Sequence, residues 1–183
     1  MPFSMAKYYK DVADCDVFIG STAAAGSAFP ISTGTAVTVG LWNSSTTKNA
    51  VMMGLNVGFT SGTIALGEIG LANQRVGYAT GTGAPLAAFT AATPKNALLG
   101  SGKASSMSFS AAATTTLTAG GTACWWSGKS IESATPGLGV FSANIDIDGA
   151  VIVPPGQICF VCGSVAQTGL FTMSMIWKEV DID

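Results

Sequence analysis

The chain has no histidine and few charges, with 8 basic and 10 acidic side chains among 183 residues. Losing histidine removes the commonest general base, metal ligand and triad member together, so no enzymatic activity and no cofactor are expected. The basic residues Lys7, Lys10, Lys48, Arg75, Lys95, Lys103, Lys129 and Lys178 are scattered. They form no stripe able to follow a phosphate backbone, and direct nucleic-acid binding is not expected. Long hydrophobic runs are also missing: Gly, Ser, Thr or Asn interrupts every apolar stretch well short of the roughly 20 residues a bilayer-spanning helix needs. No membrane partner is expected. The opening MPFSMAKYYKDVADCDV develops no signal-peptide core, so no cleaved leader is expected either.

Cysteine is sparse, with Cys15, Cys124, Cys159 and Cys162 far below the density of a disulfide scaffold. Buried free thiols are the expectation. Cys159 and Cys162 have C-x-x-C spacing, which can mark a redox pair or half a zinc site. They lie in the strand-like run from Gln157 to Gly163, where residues three apart point to opposite faces. Their sulfurs should not converge.

What the chain does have is apolar bulk: 48% of its residues are hydrophobic. A compact monomer of 18.4 kDa exposes about 8,200 Å², so the charges thin out to about one per 450 Å² of surface. The remaining surface must be coated by the 38 Ser and Thr residues or covered by other subunits. One domain and one core suit the length.

Short β-branched or alternating runs bounded by Gly, Asn, Pro and Ser recur along the sequence, and helical periodicity is scarce. The pattern predicts an all-β chain with strands over 15–20, 34–42, 50–60, 63–71, 105–117, 122–131, 140–147, 149–153, 157–165 and 170–180. That number suits a jelly-roll-like antiparallel β-sandwich. Residues 1–32 are expected to form an extended N-terminal arm with the first strand, and 33–183 the sandwich. Residues 43–49 (NSSTTKN) look like a hairpin loop, and 73–103, with Pro85 and Pro94, like a long loop for subunit or neighbour contacts. Pro154, Pro155 and Gly156 end one strand and start the next.

Few residues suggest chemistry. Phe171, Met173, Met175 and Trp177 alternate with polar neighbours, as a core stripe or a pocket lining would. Asp146 and Asp148 share a strand face, which suits calcium, a glycosidase pair or a solvated edge. Trp125 and Trp126 could contribute a sugar platform, but strand geometry sends one inward, so core plus interface is the expectation. Asn43-Ser44-Ser45 matches a glycosylation acceptor, and residues 81–86 (GTGAPL) lack the lysine of a phosphate loop.

The stretch from Gly149 through Val153-Pro-Pro-Gly156 to Cys159, continuing into Phe171–Val180, resembles small virion proteins of tailed phages, especially aquatic ones. Residues 41–53 (LWNSSTTKNAVMM) followed by 58–62 (GFTSG) are similar to their polar loop between apolar strands. The resemblance covers about half the chain. It implies a jelly-roll homotrimer that decorates or cements a capsid beside the major capsid protein, located in the virion and assembled in the host bacterial cytoplasm. It also admits a fibre or spike module binding surface glycans. No catalytic residues come with it.

Overall fold

Alternate burial builds the longest strands. In β14 (Leu170–Asp181), Phe171, Met173, Met175 and Trp177 are fully buried, while Thr172 faces solvent. The stripe is core. It pairs along most of its length with β4 (Lys48–Ser61), which turns Met52, Leu55 and Val57 to the same interior.

The computed structural model describes residues 8–75, 86–88, 91–111, 115–117, 120–131 and 141–182. One short helix, α1 (Tyr9–Ala13), precedes β1 (Val17–Ser21), β2 (Ala36–Val37) and β3 (Gly40–Trp42). After β4 come β5 (Gly67–Arg75), β6 (Leu86–Ala88), β7 (Ala91–Ala92), β8 (Lys95–Asn96), β9 (Ser108–Ser110) and β10 (Thr115–Leu117). The chain continues with β11 (Thr122–Ile131), β12 (Ser142–Val153), β13 (Gln157–Gly163) and β14. Among the described residues no helix is long and apolar enough to cross a membrane.

Sheet A runs β12-β4-β14-β1-β8, and sheet B runs β11-β5-β13-β3-β9-β7. A small sheet C runs β2-β10-β6. Every strand pairing is antiparallel. The main core lies between sheets A and B, where Trp177 stacks between Phe18 and Phe109. A second cluster, Val37, Ala72, Leu117, Ile158, Phe160 and Cys162, lies between sheets B and C. Strand β13 is therefore buried on both faces, which explains its unbroken apolar run. Eight principal strands pair in a nested order: β1 with β14, β3 with β13, β4 with β12, and β5 with β11.

Several sequence expectations need correction. Residues 43–49 are not a hairpin loop: β3 belongs to sheet B and β4 to sheet A, so the segment arches between sheets. Polar turn residues look alike in either role. Within the segment expected as an arm with the first strand, β1 lies where that strand was expected, and Val17, Phe18 and Phe29 fill the interior. The segment's stretch 21–27 is bound to the same chain, Ser27 exchanging backbone hydrogen bonds with Phe171 (2.8 and 3.0 Å).

The expected loop at 73–103 contains the end of β5 and the short strands β6, β7 and β8, which extend three different sheets; residues 76–85 and 89–90 lie outside the described part. The expected strand 34–42 splits, since Val37 serves the second cluster and Val39 and Leu41 the main one. Conversely, the expected strands 140–147 and 149–153 merge into β12. A bulge interrupts it at Asp148 and Gly149, both at positive φ (52° and 80°). Register there jumps from Asp146 opposite Gly54 to Val151 opposite Met52, and such a bulge on an edge strand discourages edge pairing.

Candidate functional site

The outer face of sheet A carries two adjoining depressions with polar linings. Across four strands, Asn144, Asn56, Ser174 and Ser21 stand in register as one row, with the Ser21 and Ser174 hydroxyls hydrogen-bonded at 2.8 Å. On β4 this row is flanked by Gly54 and Gly58. With no side chains rising from the middle strand there, β12 and β14 wall two adjoining depressions. One, of about 480 Å³, is lined by Tyr8, Met53, Gly54, Asn56, Asn144, Ile145, Asp146 and Ile176. The next, of about 410 Å³, shares Asn56 and Asn144 and adds Gly58, Ser142, Thr172 and Ser174. A third, of about 430 Å³, continues past Ser142 to Lys129.

Asp146 and Asp148 sit at one end of this face. The Tyr8 hydroxyl donates to Oδ1 of both, at 3.0 and 3.2 Å. The two acids thus share one phenol, and among the described residues no group of three or more acidic, His or Cys side chains could hold a metal. Tyr8 lies 138 and 140 residues from these acids, so no local signal announces the contact. The glycine-asparagine-glycine alternation at 54, 56 and 58, inside an otherwise apolar strand, was the available sign of a special outer face.

The tryptophan pair divides as strand geometry requires. Trp125 packs against the main core, while Trp126 is 38% exposed and lies over Gly70, where a Cβ would stand 2.5 Å from its ring. One aromatic face is available, so a two-tryptophan platform is not formed. Pro94 is half-buried just before β8; Pro85 lies outside the described residues, as do 81–85 of the glycine-containing stretch.

Cys159 and Cys162 are buried on opposite faces of β13, one in each cluster. Cys124 lies at a bulge of β11 and donates to the Leu71 carbonyl at 3.4 Å. A hydrogen bond from Cys159 lowers the Cys124 pKa, and that same bond, with burial, raises the Cys159 pKa. Burial, aided by the nearby Cys124, pushes Cys162 up to about 12. Cys124 is therefore the readier thiolate of the three.

Asn43, which matches the glycosylation acceptor pattern, is fully buried. Its side-chain nitrogen donates to the carbonyls of Lys48 and Val153, each at 2.8 Å, and its oxygen accepts from Ser45 N–H at 3.0 Å. Its backbone bonds Gln157 and Gly156 (2.9 Å each). One asparagine thereby ties the 43–49 arch to the Pro-Pro-Gly arch between β12 and β13. A second anchor is the buried carboxylate of Glu179. It accepts from Ser105 Oγ (2.6 Å) and Ser106 N–H (2.9 Å), with Lys48 Nζ at 3.7 Å.

These features define an antiparallel all-β sandwich whose polar clusters mostly fasten loops, with one open polar face on sheet A. No family model matches the chain, and no curated protein or solved structure matches it.

Proposed function

We propose that the chain is a structural virion protein of a tailed phage: a jelly-roll subunit that packs as a homotrimer and decorates or cements the capsid lattice beside the major capsid protein. The observation that carries this reading is the uncovered apolar surface on a weakly charged molecule. At one end of the outer face of sheet A, Ile152 (56% exposed) stands in register with Val51, and Val180 and Ile182 (38% and 45% exposed) add exposed apolar groups at and just past the end of β14. Obligate interfaces are more apolar than ordinary surface and absorb such groups. The jelly-roll assignment is supported by the nested pairing of first strand with last, second with seventh, third with sixth and fourth with fifth.

The test is to look for the protein's peptides in gradient-purified particles from the culture that encodes it, and to locate it by immunogold labelling. Labelling over the head supports the reading; absence from particles refutes it. A second reading, a fibre or spike module meeting surface glycans, draws on the polar depressions over β4, and labelling confined to the tail would favour it.

A further inference from the structure

We infer that the two depressions over β4 form a binding groove for a neutral oligosaccharide. Polarity selects the ligand class. The shared wall and floor are made by Asn56 and Asn144, whose amides each carry donors and an acceptor, and no hydrogen bond to either amide occurs among the described residues. A sugar hydroxyl both donates and accepts, so facing amides suit it. The hydroxyls of Ser142, Thr172 and Ser174 extend the same chemistry, while Ile176 and the ring of Tyr8 offer apolar surface to a ring's C–H face.

Other ligand classes fit less well. Among the described residues neither depression has a cationic lining residue, which leaves a phosphate group without a counter-charge. Met53, Ile145 and Ile176 are too little apolar surface for a lipid chain. A β-strand peptide needs an open edge, and β4 is hydrogen-bonded on both sides. The length also suits a chain of sugars, because Gly54 to Gly58 spans about 14 Å of strand.

The glycine at 54 supports a groove independently. Its backbone is not left-handed, and an added Cβ would meet Ile145 O at 3.5 Å and Ile176 Cδ1 at 3.8 Å, ordinary contacts. Neither backbone conformation nor packing requires glycine there, although glycine weakens a strand interior. A side chain there would rise into the depression that Gly54 lines.

This inference is separate from the lattice-packing role: a capsid protein can lack sugar binding, and a sugar binder can sit elsewhere. The experiment is a glycan array probed with the full-length native protein, followed by titration of the best neutral oligosaccharide against ¹⁵N-labelled protein. Binding with amide shifts centred on Asn56, Asn144 and Ser174 is expected. Asn56→Leu, which keeps side-chain bulk while removing the amide, should weaken it about tenfold or more, and Gly58→Val should weaken it by filling the groove. Because Asn56 is exposed, its variant should fold, which an unchanged melting temperature verifies. An array with no neutral glycan bound overturns the inference, as do shifts centred on Trp126 or affinity unaltered in a folded Asn56→Leu protein.

Discussion

Replacing Asn43 by alanine tests how the two sheets are tied together. The substitution orphans three backbone groups. The Val153 carbonyl sits in the protein interior, and leaving it unmet costs about 2 kcal/mol. The Lys48 carbonyl and the Ser45 N–H are in partly buried contacts that water can replace in part, at roughly 0.5–1 kcal/mol each. Asn43→Ala should therefore cost about 3–4 kcal/mol, or a drop in melting temperature of roughly 10 °C for a chain of this length. Urea titration and calorimetry measure both quantities.

Asn43→Asp gives a sharper signature. It keeps the acceptor for Ser45 N–H but sets a buried carboxylate against two carbonyl oxygens, raising the folded-state pKa above about 3.9. Stability present below that pH should be lost as pH rises through the folded pKa. Ser45→Ala is the control, since among the described residues the Ser45 hydroxyl makes only an exposed contact to Thr47 N–H, and should stay within about 0.5 kcal/mol. An Asn43→Ala protein melting within about 2 °C of the parent would refute the account of the arches.

Two further outcomes follow from the interior. A Cβ at Gly20 would lie 2.6 Å from three ring atoms of Phe109, so Gly20→Ala should cost about 3 kcal/mol or more; adding Phe109→Leu should recover part of it in urea titrations. Cys162, raised to about 12, holds its proton in the folded state while an unfolded thiol ionises near about 8.5. Stability is then fully present below about pH 8.5 and falls as pH rises toward 12. Cys162→Ala should flatten that alkaline decline in the urea midpoint.

Strand identity was legible where one face is buried along a whole strand. The alternation of Phe171, Met173, Met175 and Trp177 marked β14 as core, and the expected span 122–131 coincides with β11. Connectivity was not legible, because NSSTTKN has the same turn chemistry whether the next strand pairs beside the last or crosses to the opposite sheet. The strands within 73–103 are too short, at two or three residues each, to show a period. At the outer face the signal was present at Gly54, Asn56 and Gly58, but the walls of the groove come from β12 and β14, about 90 and 120 residues further along. Such a juxtaposition is set by register rather than by local sequence.

The central claim is that this sandwich is a subunit of a closed assembly which covers its apolar surface. Light scattering coupled to size exclusion on the purified native protein tests it most directly. The account predicts a trimer of 18.4 kDa chains, about 55 kDa in all; a soluble monomer of 18.4 kDa, stable on concentration, would contradict it.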